Sequence, residues 1–274
     1  MAVDAGPGTG TGVFSAGRAS IAQRTLRTDN WRRAPILTVV LLTLWVLYAL
    51  IRTMTQRNYF VEEFHYLSPF SSPCVSASCP PEARDFGTWF GDFPPLIPLA
   101  ILSLPFLLGF RLTCYYYRRA YYRSYWLSPP ACAVPDAHAR YSGETRFPLI
   151  IQNVHRYFFY AAVLVSLVNT YDAIRAFQGK DGGFGIGLGT VIMVGNVVLL
   201  WAYTISCHSC RHITGGRLKH FSRHPVRYRI WTQVSRLNTR HMQLAWITLG
   251  TLMLTDAYIG LVASGAISDL RFIN

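Results

Sequence analysis

Five apolar runs divide this chain, at residues 35–51, 94–113, 154–171, 186–206 and 242–263. Each is near or above the ~18 to 20 residues with which an α-helix crosses ~30 Å of hydrocarbon. Within hydrocarbon a helix is one of only two ways for a chain to satisfy its own backbone. The runs therefore predict an all-α membrane protein with five transmembrane helices. Composition agrees, since 51% of the residues are hydrophobic and only 14% charged, the balance of a chain whose solvent is partly lipid. The first run follows some thirty residues that hold no small-residue cleavage site, so it reads as a retained helix and not a signal peptide. Residues 1–30, rich in Gly, Ala and Thr near the start, read as a flexible cytoplasmic segment, and 31–274 as the transmembrane domain.

Charge sets the orientation, because Lys and Arg accumulate in short cytoplasmic loops. Arg18, Arg24, Arg27, Arg32 and Arg33 precede the first run, and Arg118, Arg119, Arg123, Arg140 and Arg146 lie between the second and third. From Cys207 to His241 there are Arg211, Arg217, Lys219, Arg223, Arg227, Arg229, Arg236 and Arg240 with no acid at all. The loop after the first run instead holds Glu62, Glu63, Glu82, Asp85 and Asp92 against Arg57 and Arg84. The N-terminus is thus expected inside and the C-terminus extracytoplasmic, in a multi-pass protein of the plasma membrane. The net charge of +13 is accounted for by these flanks, so lipid headgroups and an acidic cytoplasmic partner are expected to meet it rather than nucleic acid.

Outside the membrane, Cys74 and Cys79 lie close together in an oxidising compartment and are expected to form a disulfide. The aromatic and arginine-rich stretch Cys114–Trp126 reads as an interfacial belt. Gly183, Gly185, Gly187 and Gly189 lack the strand and Lys-Ser/Thr of a phosphate loop, and read as sites of close helix packing.

The chemistry concentrates at Cys207-His208-Ser209-Cys210, where the fourth run meets the basic segment. Thiols three residues apart share one face of a helical turn, and in the reducing cytoplasm they are free to bind metal. Counting from Lys180 in the outer connection, His155 is 25 residues back and Cys207 is 27 forward. At 1.5 Å per residue, that places them within about 3 Å of one level. His241 opens the fifth run at the same boundary. Cys207, Cys210, His155 and His241 make a ligand set for a closed zinc site or a Rieske-type 2Fe-2S cluster. His208 and His212 are rival donors. Two histidines on neighbouring helices also suit a b-type haem, although that leaves the cysteines without a role. A zinc-stapled, non-enzymatic scaffold is a further alternative. A transporter is disfavoured, because Asp172 and Asp256 lie toward the outer ends of their runs and not at mid-membrane.

Five helices, a cytoplasmic Cys-x-x-Cys closing the fourth and histidines opening the third and fifth resemble the membrane-anchor subunit of an actinobacterial succinate dehydrogenase. In that class of complex II the anchor carries a Rieske-type 2Fe-2S cluster in place of haem, and the resemblance covers roughly residues 30–265. It implies electron relay from succinate to menaquinone or another quinone, with a flavoprotein subunit and an iron–sulfur subunit on the cytoplasmic face and a possible higher oligomer. Carried over by residue, Cys207 and Cys210 match the thiolate pair on one iron, and His155 and His241 the imidazole pair on the other. Tyr160 and Trp246, each five residues beyond a histidine, are candidates for the quinone site.

Overall fold

The computed structural model describes residues 29–91, 104–127 and 149–274. Eight helices are named in order: α1 (Arg33–Thr55), α2 (Leu104–Leu112), α3 (Tyr115–Tyr122), α4 (His155–Arg175), α5 (Leu188–Ile205), α6 (His208–Gly215), α7 (Pro225–Asn238) and α8 (His241–Ala263). Short strands β1 (Phe60–Val61), β2 (Tyr66–Leu67), β3 (Ile186–Gly187) and β4 (Arg271–Ile273) form two antiparallel pairs, β1 with β2 and β3 with β4.

Among the described residues four helical segments are long and apolar enough to cross a membrane: Arg33–Thr55, Ile150–Arg175, Leu188–Ile205 and His241–Ala263. They correspond to the first, third, fourth and fifth expected runs, with α1 extending beyond 35–51 at both ends. Of the run 94–113, only the α2 portion is described, and residues 92–103 lie outside the described part. So do residues 1–28 and the arginines at 140 and 146.

Helices α4, α5 and α8 pack side by side, with α2 against α4. Their buried positions hold Ala162, Ala173, Ala245, Thr248 and Thr255, residues small enough to let backbones approach closely. Helix α1 is different, because only Ala49 and Thr53 of it are buried while Leu37, Val40, Leu44 and Leu47 stand exposed. It is tethered to α8 by polar contacts. Trp45 Nε1 donates to Leu249 O at 3.0 Å, and Arg52 Nε to Asp256 Oδ2 at 2.6 Å. Asp256, 1% exposed, also accepts from Tyr48 Oη and Ser68 Oγ, both at 2.5 Å. Such a carboxylate is tolerated at membrane depth because its lone pairs are satisfied.

The outer ends are covered by residues 56–91, where Cys74 and Cys79 are joined by a disulfide. Tyr66 of β2 is fully buried, and its hydroxyl meets Asp269 Oδ2 at 2.9 Å. This ring explains part of the glycine stretch in a way the sequence did not anticipate. A Cβ on Gly189 would lie 2.3 Å from the Tyr66 ring, so the glycine admits the tyrosine of β2 and not a neighbouring helix.

The segment expected as a basic loop, 207–241, is mostly helical. Arg227 reaches back from α7 and donates to the Thr214, Ile213 and Gly216 carbonyls that end α6, at 2.5, 3.1 and 2.8 Å. The Trp231 indole lies where a Cβ on Gly215 would be, 2.1 Å away. Arg211 covers the other side of that indole at 5.3 Å and bonds Ser235. Two of the eight basic residues therefore hold α6 on α7, while Arg217, Arg223, Arg229, Arg236 and Arg240 face outward.

Candidate metal centre

Two stretches of chain build the inner edge of the bundle in the same way. The second apolar run ends Phe110-Arg-Leu-Thr113-Cys114 and the fourth ends Tyr203-Thr-Ile-Ser206-Cys207. Each cysteine is the residue that caps the next short helix, Cys114 for α3 and Cys207 for α6, with extended backbone angles in both. The Cys207 sulfur accepts from the Ser209 N–H at 3.3 Å, whereas the Cys114 sulfur makes no such cap bond.

The histidines that open α4 and α8 enter this frame crosswise. His155 Nδ1 is 2.7 Å from Thr113 Oγ1, and its Nε2 is 3.1 Å from Cys207 Sγ. His241 Nδ1 is 2.6 Å from Ser206 Oγ, and its Nε2 is 3.6 Å from Cys114 Sγ. Each segment thus holds one imidazole with its hydroxyl and meets the other with its thiol. The aromatic residues repeat the pattern. Phe110 stacks on His155 at 5.0 Å and 5°, and Tyr203 on His241 at 5.0 Å and 8°.

The hydroxyls fix the tautomers. A hydroxyl has one proton, and Thr113 donates it to Gly109 O at 2.6 Å while Ser206 donates to Tyr203 O at 2.8 Å. Both must therefore accept from the imidazoles, so each Nδ1 carries the hydrogen. Each Nε2 is left with a lone pair turned toward a sulfur, the orientation a ligating imidazole needs. Burial pushes the Cys207 thiol up to about 11 and raises Cys114 as well, against the pull of the capping N–H groups. At neutral pH the thiols are protonated until a metal displaces the proton.

Of the expected ligands, Cys207, His155 and His241 come together here. Cys210 is half-buried on the first turn of α6, and neither imidazole makes its thiol contact with it. The Cys-x-x-Cys spacing has another physical account: Cys207 caps α6 by accepting from the Ser209 N–H, and Cys210 lies on the turn so capped. Cys114, overlooked as the start of an aromatic belt, is 2% exposed and meets His241. The repeated aromatic-x-x-hydroxyl-Cys pattern was the signal that could have found it.

His208 borders the centre, its ring 6.4 Å from that of His241. His212 points away, and Arg156 Nη2 donates to its Nδ1 at 3.2 Å. With Gln152 and Trp231 these two histidines line an open cleft of about 790 Å³ that reaches His155. On the other side, Trp31, Tyr116, Arg119, Met242 and Trp246 line a cavity of about 270 Å³. The Tyr116 ring there is 5.7 Å from His241. Tyr160 is 50% exposed and lines neither space.

Among the described residues no three His, Cys, Asp or Glu side chains are gathered around a point that would hold one metal ion. The donors stand as two separate His–Cys pairs, an arrangement suited to a centre of more than one atom.

No curated protein matches the chain. A solved chain described as "Mycobacterium smegmatis Sdh1 complex in the apo form" superposes with a TM-score of 0.86 at 69% sequence identity, covering 96% of this chain and 99% of that one. The family model described as actinobacterial succinate dehydrogenase subunit SdhC matches residues 33–265, which include all four residues of the two His–Cys pairs. By both likenesses the chain belongs to the actinobacterial succinate dehydrogenase subunit SdhC family, and is a multi-pass membrane subunit of that oxidoreductase complex.

Proposed function

We propose that this subunit relays electrons from succinate oxidation to a quinone through a Rieske-type 2Fe-2S cluster held by Cys114, Cys207, His155 and His241. The observation that carries this reading is the pair of imidazoles, each with its Nδ1–H held by a hydroxyl and its Nε2 facing a buried sulfur. Two thiolates and two neutral imidazoles are the Rieske donor set. Cys114 takes the place first expected for Cys210. The Tyr203 hydroxyl supports the fit, being buried without a hydrogen-bond partner among the described residues. A cluster sulfur would give it an acceptor.

When bound, such a cluster supplies one-electron transfer at roughly −150 mV or above, higher than all-Cys ferredoxins. The chain contributes the rest. Cys207 is fully buried, His241 is 1% exposed, and the Phe110 and Tyr203 rings each cover one face of an imidazole. Five spans are proposed, the four described ones and the run 94–113, with the N-terminus inside. The exposed arginines on and around α7, Arg217, Arg223, Arg229, Arg236 and Arg240, would then face a flavoprotein and an iron–sulfur protein, with the cleft at His155 as the point of electron entry. The quinone headgroup is placed in the cavity beside Tyr116 and Trp246, on the His241 side, and Tyr160 is left facing lipid.

Iron analysis and electron paramagnetic resonance of the purified complex test the reading. Two irons per anchor beyond those of the soluble subunits, with a Rieske-like signal, are expected; stoichiometric zinc without that signal overturns it. His155→Ala with His241→Ala should abolish quinone reduction while succinate still reduces an artificial acceptor. Loss of both activities from the membrane would mark a scaffold.

A further inference from the structure

Arg111 breaks the symmetry of the centre. Its counterpart in the second stretch is Thr204, one residue after the stacking ring in each case. Arg111 is 7% exposed, and among the described residues no Asp or Glu pairs with it. Its partners are neutral: Tyr117 Oη at 2.6 Å, Ala245 O at 3.5 Å and Thr248 Oγ1 at 3.4 Å. The guanidinium also stands over the rings of Tyr203, Tyr117 and Trp45, at 5.1, 5.6 and 6.0 Å. A cation buried at the membrane without a counter-charge is costly, and hydrogen bonds to neutral groups only reduce that cost. Fold stability alone gives no reason to keep it, since an apolar side chain would fill the space more cheaply.

The charge stands one aromatic ring away from the centre. Tyr203 lies between Arg111 and His241, touching the guanidinium on one side and stacked on the imidazole on the other. Three residues along the chain is Cys114, whose sulfur meets His241. Two ferric ions, two sulfides, two thiolates and two neutral imidazoles would carry no net charge together, and one added electron would make such an assembly an anion. A fixed cation in a region of low dielectric stabilises that anion far more than it would in water.

We infer that Arg111 is a positioning residue for electron transfer: its uncompensated charge raises the reduction potential of the centre and so draws the electron onto it. This rests on the cluster reading above. The Tyr117 hydroxyl aims the fork, accepting from Arg111 and donating to the Ala245 carbonyl. Thr248, with its Oγ1 3.4 Å from both Nη1 and Nη2, is the one contact that can be converted into a counter-charge.

The test is a redox titration of the intact complex, followed by electron paramagnetic resonance. Arg111→Gln removes the charge and is expected to make reduction at least tenfold less favourable, about 59 mV lower for one electron. Arg111→Lys keeps the charge and should shift it much less. Thr248→Asp neutralises the guanidinium in place and should lower the potential in the same direction, whereas Thr248→Asn should not. If Arg111→Gln does not assemble, the Thr248 pair decides. An intact signal with an unchanged potential in Thr248→Asp overturns the inference. So does an equal fall in the Lys and Gln variants, which would mark a packing role. A wild-type complex without the Rieske-like signal defeats the cluster reading itself, a separate outcome.

Discussion

His155 and Cys207 are separated by 52 residues of chain and meet with 3.1 Å between Nε2 and Sγ. That contact joins the start of α4 to the end of α5, and its mirror, His241 with Cys114, joins the start of α8 to the end of α2. Four helix ends are thereby tied at one level by the groups that would bind the metal.

The ligand set is separable by mutation. Cys114→Ser and Cys207→Ser should each abolish the Rieske-like signal and lower the iron content of the complex, while Cys210→Ser leaves both near wild type. Retention of the signal in Cys114→Ser together with loss in Cys210→Ser would restore the pairing first read from the Cys-x-x-Cys spacing.

The hydroxyls that hold the imidazoles should matter nearly as much as the ligands. Thr113→Val and Ser206→Ala each free an imidazole to rotate or change tautomer, and loss of such a partner typically costs 10–100-fold in metal affinity. Iron retention during chelator challenge is the measurement; retention equal to wild type in both variants would remove the orienting role.

Asp256 is the tether of α1. Asp256→Ala leaves Arg52, whose side chain is 19% exposed, without its partner, and breaking a pair this buried is expected to cost about 3–5 kcal/mol. Thermal unfolding of the detergent-solubilised complex should show the loss, and adding Arg52→Ala should cost little more. Additive losses would mean the two residues act separately.

The outer cap carries a pH dependence through His65, which bonds Asp85 at 2.8 Å. Burial first, and then Arg175, hold its imidazole below the ordinary 6.5 despite Asp85. The unfolded segment therefore takes up the proton first. The stability contribution is complete above about 6.5 and is lost as pH falls through the lowered folded value. Hydrogen exchange over residues 59–90 should accelerate between pH 7.5 and 5.5, and His65→Gln should flatten the change. An unchanged profile in the wild type would exclude His65 as the cause.

Topology is open to labelling. Cys74 and Cys79 should resist a membrane-impermeant thiol reagent on intact cells until a reductant is added. Protection under both conditions would contradict an outward-facing cap.

The membrane class was legible without structure, because hydrophobic run length and the cost of unsatisfied backbone in lipid are properties of local sequence. The depth of His155, His241 and Cys207 was legible for the same reason, since helical rise converts residue count to height. What depth cannot give is azimuth. Cys210 is as near Cys207 in the chain as a ligand need be, yet the imidazoles meet the Cys207 and Cys114 sulfurs and not its thiol. Cys114 was invisible because it lies 93 positions before Cys207, and only the packing of α2 against α4 and of α5 against α8 brings the two sulfurs to one place.

The sequence by itself determined that the chain lives in lipid, roughly where its long apolar helices lie, and that Cys207, His155 and His241 sit at one level. Tertiary structure alone decided which thiol faces which imidazole, which ring nitrogen carries the hydrogen, and that Arg111 stands beside them without a counter-charge. The physical reason is that helical rise follows from a count of consecutive residues, whereas the direction a side chain faces depends on which helix packs against it.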